Sequence, residues 1–150
     1  MLEDETEPHM DNPYIGATVY VNPEWSAKAM AEPDGDQISR EPTAVWIDRI
    51  AAIQGPRDDG SMSLQDHLDE ALAQNATAIQ FVIYNLPGRD CLARSSDGEL
   101  EATAIDRYRT EYIDPIAEVM SNQKYADLRI INIIEFNSLT NLVTEAGNST

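Results

Sequence analysis

Three apolar runs alternate with segments of helical periodicity along this chain. The runs cover residues 43–48, 79–85 and 129–135, and the last two are rich in β-branched residues and almost continuously hydrophobic. Continuous apolar character is typical of parallel strands that are buried on both faces. We therefore predict three parallel strands, each of which ends on or beside a polar side chain.

Helical periodicity fills the segments around these runs, over residues 24–31, from residue 63, from 103 to about 120 and from 138 to 144. Ser63 is expected to cap the second helix, with Asp66 three residues further on. Thr103 marks the predicted start of the third helix. Pro115 lies inside that helix and is expected to kink or split it, because proline lacks the backbone donor and clashes with the preceding turn.

Strands and helices that alternate in this order form βαβ units with right-handed crossovers. We therefore predict an α/β fold, a partial (β/α) barrel with parallel strands and about three βα units. A complete barrel typically needs about 200 residues or more, whereas this chain has 150. We divide it into an acidic, disordered leader over residues 1–11 and a partial domain over residues 12–150.

Acidic residues dominate the charge of the chain. Asp and Glu number 27 against 10 Lys and Arg, which gives a formal net charge of −17. Such a chain repels phosphate backbones and anionic lipids, so we expect no nucleic-acid partner and no membrane partner. Lysine is scarce, with only Lys28 and Lys124. Two interpretations stay open, a surface adapted to high salt and an ordinary acidic extracellular enzyme.

Several functional classes find no support in the sequence. No apolar run is long enough to span a membrane, the acidic N-terminus does not resemble a secretory signal, and no dinucleotide fingerprint occurs. Cys91, as the single cysteine, cannot form an internal disulfide or a cysteine-based zinc site. His9 and His67 are too far apart to suggest a metal site, and His67 is expected on the solvated face of its helix. We expect no cofactor and no metal, and the oligomeric state is left open.

Aromatic and carboxylate side chains stand at the predicted carboxyl ends of the strands. Trp46 and Asp48 close the first strand, Tyr84 closes the second, and residues 135–137, Glu-Phe-Asn, close the third. In β/α barrels this rim carries the site. Sugar clefts need such groups, because pyranose C–H faces stack on aromatic rings while carboxylates accept hydroxyl hydrogen bonds. Trp46 alone is also typical of a core residue and Asp48 of a loop cap, but three successive strand ends of this kind favour a sugar site.

Five segments carry a more specific pattern, at residues 12–16, 43–48, 83–91, 106–116 and 133–143. In order and spacing they resemble glycoside hydrolase family 6, whose inverting cellobiohydrolases and endoglucanases act on β-1,4-glucan. The resemblance covers about residues 12–144 and only the N-terminal portion of that family's catalytic domain. It implies a distorted barrel and a secreted hydrolase of cellulose that acts with inversion, and it leaves exo or endo action open.

The resemblance implies a role for each candidate site residue. Trp46 and Asp48 correspond to positions that stack on and hydrogen-bond a glucosyl unit. Tyr84 corresponds to the tyrosine that distorts the sugar at the cleavage point. Asp90 corresponds to the aspartate that raises the pKa of the general acid, and Ser96 to a loop serine that holds the hydrolytic water.

Cys91 corresponds to a cysteine that is normally disulfide-bonded to a partner further along the chain. This sequence contains no second cysteine. We therefore expect Cys91 to be a free thiol.

The position of the general acid carries an amide. The family motif reads Glu-Pro-Asp-Ser-Leu, with the Asp as the acid, whereas residues 135–139 read Glu-Phe-Asn-Ser-Leu. The amide of Asn137 cannot hold and deliver a proton. We therefore expect this chain to be inactive, also because the regions that supply the base and the remaining barrel strands have no counterpart in it. Two alternatives stay open, a non-catalytic glucan-binding remnant and a gene fragment that does not fold stably.

Overall fold

The computed structural model describes residues 11–90 and 98–138, and every structural statement below concerns these residues. Three strands form one parallel sheet in the order β1 (Val45–Ile47), β2 (Ala78–Ile83) and β3 (Arg129–Ile134). All three coincide with the predicted apolar runs to within two residues at each end. The predicted α/β fold with parallel strands is confirmed.

Helices connect the strands in the predicted places. They are α1 (Pro23–Met30), α2 (Leu64–Ala73), α3 (Ile105–Arg107) and α4 (Asp114–Met120), and a π-helical segment at Tyr108–Ile113 joins the last two. Short 3₁₀ turns lie at Gly35–Gln37, Ile50–Ala52 and Gln123–Tyr125.

The predicted start of one helix is confirmed and that of another is wrong. Ser63 Oγ accepts a hydrogen bond from the Asp66 N–H at 3.2 Å, and Asp66 Oδ2 accepts one from the Ser63 N–H at 2.9 Å. This reciprocal pair satisfies two helix-end donors of α2. Thr103 is not a cap, because α3 follows Ala104, which makes no side-chain capping bond.

The third helical segment changes its hydrogen-bond pattern beside Pro115. The wider π turn ends at Ile113 and α4 begins at Asp114. Proline has no N–H to donate, and its ring crowds the carbonyl four residues earlier in an α-helix. The helix is therefore interrupted where the proline predicts, through a π segment.

β3 departs from the expectation that it is buried on both faces. β2 is largely buried, whereas Ile133 and Ile134 of β3 are exposed, Ile134 by 64%. In the described part of the chain β3 pairs only with β2, so one edge of it has no neighbouring strand. Continuous apolar character predicted this strand correctly. Whether β3 is buried, however, depends on a neighbouring strand on its other side, which the hydrophobic pattern cannot indicate.

The core packs the sheet against α2 and α4. A further segment joins the sheet ahead of β1, since Val19 forms a parallel bridge with Ala78 and the Tyr20 N–H donates to the Ala78 carbonyl at 2.9 Å. The sequence did not predict this contact. The large side chains that are fully buried are Tyr20, Ile47, Leu64, Leu68, Ile79, Phe81, Leu100 and Tyr112.

The expectation that His67 is solvated is wrong, because it is only 2% exposed. The Tyr20 hydroxyl lies 2.8 Å from His67 Nδ1, and Nε2 lies 3.7 Å from a carboxylate oxygen of Glu24. His67 lies on the face of α2 that the sequence pattern predicts to be polar and exposed. Tyr20 and α1 cover this face in the structure. Burial lowers the pKa of His67 and outweighs the opposing charge of Glu24.

No helix within residues 11–90 and 98–138 is long and apolar enough to cross a membrane. The same residues contain no group of three or more His, Cys, Asp or Glu side chains placed to hold a metal ion. The predicted leader over residues 1–11 lies outside the described residues except for Asp11, and the helix predicted over residues 138–144 lies outside them beyond residue 138.

Candidate functional site

The three strands end in one row, which brings the residues that follow them to the same edge. Ile47 pairs with Ile83, and Ile83 pairs with Ile134. The row continues beyond the strands, because the Tyr84 N–H donates to the Ile47 carbonyl at 3.1 Å and the Glu135 N–H donates to the Ile83 carbonyl at 2.8 Å. Residues 48, 84 and 135 are therefore neighbours, as expected for parallel strands.

Three aromatic rings meet at this edge, and we call Trp46, Tyr84 and Phe136 the aromatic cluster. The plane of the Trp46 ring is nearly perpendicular to both other rings, at 87° to Tyr84 and 88° to Phe136, with centroid separations of 5.8 Å and 5.4 Å. Tyr84 and Phe136 are tilted by 39° at 5.4 Å. Trp46 is paired with Val82 in the register, so side-chain alternation places it on the same face of the sheet as Tyr84.

The Tyr84 hydroxyl connects three of the predicted site residues. It donates to Asp90 Oδ2 at 2.5 Å, and the side chain of Asn137 is a further hydrogen-bond partner. Burial and the bond to Asp90 raise the pKa of Tyr84 above its usual value, and Asn137 opposes this shift. Tyr84 therefore stays protonated at neutral pH and donates to the Asp90 carboxylate.

Two acidic residues at this edge have left-handed backbone conformations. Asp90 has φ of 50° and Glu135 has φ of 47°. A side chain in this region costs about 1–3 kcal/mol, and such residues concentrate at ligand and catalytic sites. The turn before Asp90 is held by the Gly88 N–H, which donates to the Leu100 carbonyl at 2.8 Å. Asp90 reaches the Tyr84 hydroxyl from this turn.

Arg89 ties the end of β1 to the aromatic cluster. Its guanidinium carbon lies 4.6 Å from the centroid of the Tyr84 ring, and Nη2 donates to the Asp48 carbonyl at 3.0 Å. The stacked guanidinium thus buries one side of the Tyr84 ring. The sequence indicated Arg89 only as part of a motif and predicted no role for it.

Asp48 is held by a two-point ion pair with its neighbour. Arg49 Nε lies 2.9 Å from Asp48 Oδ1, and Arg49 Nη2 lies 3.1 Å from Oδ2. Burial works to raise the pKa of Asp48, but the hydrogen bond and positive charge of Arg49 lower it overall. Asp48 is therefore ionised at neutral pH and available as a hydrogen-bond acceptor.

A polar network around the buried Asn85 lies beside the aromatic cluster. Glu135 Oε1 accepts from the Asn85 N–H at 2.8 Å and from the Tyr108 hydroxyl at 2.9 Å. Asn85 Nδ2 donates at 2.8 Å to Glu99, which also accepts from the Ile50 N–H. Glu135 follows β3 directly and belongs to the predicted end of the third strand, whereas Asn85 lies two residues after β2, where its position at a strand end is the signal that could have indicated it. Glu99 gave no such signal, because it meets the network only through the fold.

The structure brings Trp46, Tyr84, Asp90 and Asn137 to one place, with Asp48 joined to them through Arg89. Phe136 lies at the predicted end of the third strand, but the sequence analysis assigned it no role of its own. Two other predicted positions, Cys91 and Ser96, lie outside the described residues, so the expectations for them stay predictions.

Comparison with known proteins finds one family throughout. The family model for "Glycosyl hydrolases family 6" matches residues 6–150. Exoglucanase A of Cellulomonas fimi is 45% identical over 91% of this chain. Among solved structures, the catalytic domain of Cellulomonas fimi Cel6B has a TM-score of 0.79 at 45% identity over 93% of this chain.

A second solved structure, the CcCel6A catalytic domain complexed with p-nitrophenyl β-D-cellotrioside, has a TM-score of 0.73 at 29% identity over 91% of this chain. This chain spans only part of each protein that it matches. The share is 17% of exoglucanase A, 35% of the Cel6B catalytic domain and 39% of the CcCel6A domain.

Proposed function

Because this chain belongs to glycoside hydrolase family 6, we propose that its strand-end site binds β-1,4-glucan in the manner of a cellulose hydrolase but does not cleave it. The reaction type implied by the family is hydrolysis with inversion, in which an acid protonates the glycosidic oxygen while an activated water attacks the opposite face of the sugar. An extracellular location, where cellulose is found, belongs to the same proposal.

The observation that carries the binding half of the proposal is the aromatic cluster beside an ionised carboxylate. Trp46 is 51% exposed, so a sugar ring can reach its side chain. Asp48 is held ionised by Arg49 and can accept hydrogen bonds from sugar hydroxyls. The CcCel6A structure, which matches this fold, is itself a cellotrioside complex.

The inactive half of the proposal rests on Asn137. Its side chain shares the Tyr84 hydroxyl with Asp90, and this closeness to the Asp90 carboxylate supports the assignment of Asn137 to the acid position. An amide has no proton to transfer in the working pH range. General acid catalysis typically contributes about 10²–10⁴-fold and matters most for a poor leaving group such as a sugar hydroxyl. We therefore infer that natural glucan is bound and not turned over.

The binding test is a titration of tryptophan fluorescence with cellotriose. We expect weak, roughly millimolar affinity, equivalent to about −4 kcal/mol, and loss of the response in Trp46→Ala. Trp25→Phe is the matched control, because the chain contains two tryptophans and Trp25 lies on α1 away from the aromatic cluster. A response that disappears with Trp25→Phe and survives Trp46→Ala would place the sugar elsewhere.

The activity test measures reducing-sugar release from cellulose in parallel with the titration. Binding without release supports the proposal. Release of reducing sugar that rises linearly with the amount of protein, and that Trp46→Ala reduces, would show that this chain is a working hydrolase despite Asn137.

A further inference from the structure

The ring that is open to a ligand in the aromatic cluster is not that of Tyr84. Tyr84 is 5% exposed, whereas Trp46 and Phe136 are 51% and 48% exposed. Three neighbours cover the Tyr84 ring, with centroid distances of 5.4 Å for Phe136, 5.8 Å for Trp46 and 4.6 Å for the Arg89 guanidinium. A sugar can stack only on a ring that solvent reaches, so Tyr84 offers it almost no surface.

Phe136 and Trp46 together form an open corner. Their planes are almost perpendicular, at 88°, and their centroids are 5.4 Å apart. If a glucosyl ring lies flat on the indole, the rim of the sugar, from which its equatorial hydroxyl groups project, would therefore contact the phenyl ring. Perpendicular rings at this distance are themselves a favourable aromatic pair, so the corner is held in place before any ligand arrives.

Resting on the proposed function, we propose that Phe136 is a sugar-binding residue and that it replaces Tyr84 as the second aromatic contact of the glucan. Phe136 covers the Tyr84 ring on one side and presents its own open surface beside Trp46. The Tyr84 hydroxyl then serves to hold Asp90 and Asn137 in place. The ligand class is a β-1,4-linked glucose oligomer, bound with a relaxed ring because Tyr84 cannot press against it.

The chain offers an internal control for a direct test by fluorine NMR. It contains two phenylalanines, Phe81, which is fully buried in β2, and Phe136. With 4-fluorophenylalanine at both positions, Phe136→Leu identifies the Phe136 resonance by removing it, and the Phe81 resonance reports that the fold is intact. We expect cellotriose to shift the Phe136 resonance and not that of Phe81. The midpoint should equal that of the Trp46-dependent fluorescence response.

Two variants of Phe136 distinguish the effect of the aromatic ring from the effect of side-chain size. Phe136→Leu keeps an apolar side chain over Tyr84 but removes the aromatic face, and we expect cellotriose affinity to fall roughly three- to tenfold. Phe136→Tyr keeps the face and should stay within about twofold of the parent.

The outcomes distinguish this inference from the function on which it rests. If the Trp46-dependent fluorescence responds to cellotriose while the Phe136 resonance does not move, Phe136 is no ligand and the glucan site stands without it. If Phe136→Leu binds more tightly, Phe136 obstructs the site and this inference is overturned. If neither probe responds to cellotriose, the proposed function fails, and the role of Phe136 fails with it.

Discussion

The hydroxyl group of Tyr112 accepts a hydrogen bond of 3.0 Å from the backbone N–H of Tyr84, directly after β2. The same hydroxyl donates to the Ile47 carbonyl at the end of β1. Tyr112 is fully buried in the π-helical segment, 28 residues along the chain from Tyr84. One helical side chain thus joins the ends of two neighbouring strands.

Removal of this hydroxyl should destabilise the fold moderately. In Tyr112→Phe the buried Tyr84 N–H keeps only its second acceptor, the Ile47 carbonyl at 3.1 Å. We expect a loss of about 1 kcal/mol in the free energy of unfolding, measured by urea denaturation. Tyr14→Phe is the control, because it also removes a hydroxyl hydrogen bond, to Gln80, but one that is exposed to solvent; it should change stability by less than about 0.5 kcal/mol. Equal effects of the two variants would contradict the bridging role.

Stability should fall with acidification through a window set by His67. Burial lowers the pKa of this group in the folded state, so the unfolded chain takes up the proton first, below about pH 6.5. The free energy of unfolding is therefore highest above that pH. It decreases as the pH falls towards the lower pKa of the folded state, by up to roughly 1.4 kcal/mol per pH unit.

The matched variant for this pH dependence is His67→Gln, which cannot titrate. The carboxyl groups whose pKa is lowered, such as Asp48 and Asp69, begin to affect stability only nearer their own ordinary values of about 4. Urea midpoints of the parent chain and of His67→Gln should therefore diverge between about pH 6.5 and 5. Parallel curves over this range would mean that His67 does not carry the effect.

If Asn137 occupies the position of the general acid, a carboxyl group introduced at residue 137 should give catalysis where the rest of the barrel is present. We consider a hybrid in which this chain replaces the matching segment of the Cellulomonas fimi catalytic domain. Asn137→Asp in the hybrid should raise cellulose hydrolysis about 10²–10⁴-fold, as a general acid does. Equal rates with and without the substitution would show that Asn137 does not occupy the acid position.

In the same hybrid with Asn137→Asp, Tyr84→Phe and Asp90→Asn should each lower the rate. The hydrogen bond between Tyr84 and Asp90 would place a negative charge beside the new acid and raise its pKa. The high-pH limb of the pH–rate profile is the readout, because a general acid acts in its protonated form. Loss of the negative charge in Asp90→Asn should move that limb to lower pH, and Tyr84→Phe should do so to the extent that its hydrogen bond holds Asp90 beside the new acid. A decrease in rate with no change in the profile would indicate a structural effect only.

Salt should stabilise the chain if its surface is adapted to high salt. The net charge of −17 is repulsive at low ionic strength, and the Debye length shrinks from about 10 Å at 0.1 M to about 3 Å at 1 M. We expect the melting temperature to rise between these NaCl concentrations by more than that of the Cellulomonas fimi relative. A melting temperature that is flat or falls would favour the ordinary acidic enzyme.

The exposed edge at β3 should promote self-association once salt screens this charge. Ile134 is 64% exposed on the edge strand, and such edges pair with one another when repulsion is weak. Sedimentation velocity at 1 M NaCl should show concentration-dependent oligomers that Ile134→Lys removes. Ile105→Lys is the control, because Ile105 is 60% exposed but lies on α3. Association that both variants abolish equally would point to a general effect of charge.

The order of strands and helices could be predicted from the sequence alone. Apolar runs mark β1, β2 and β3, and the capping box at Ser63 marks the start of α2. Each of these signals acts between residues that are near neighbours along the chain. Parallel strands in register also bring their ends together, so the convergence of Trp46, Asp48 and Tyr84 at one edge followed from the sequence.

Burial, in contrast, was decided by contacts between segments that are remote in the sequence. His67 is enclosed by Tyr20, 47 residues away, and Tyr84 is covered by Phe136, which lies after β3. Periodicity along α2 or β2 reports which face of an element is apolar and cannot report which side chain from another element will cover it. The protonation of His67 and the ring that faces the sugar site therefore depend on tertiary packing, because desolvation and stacking act through space and not along the chain.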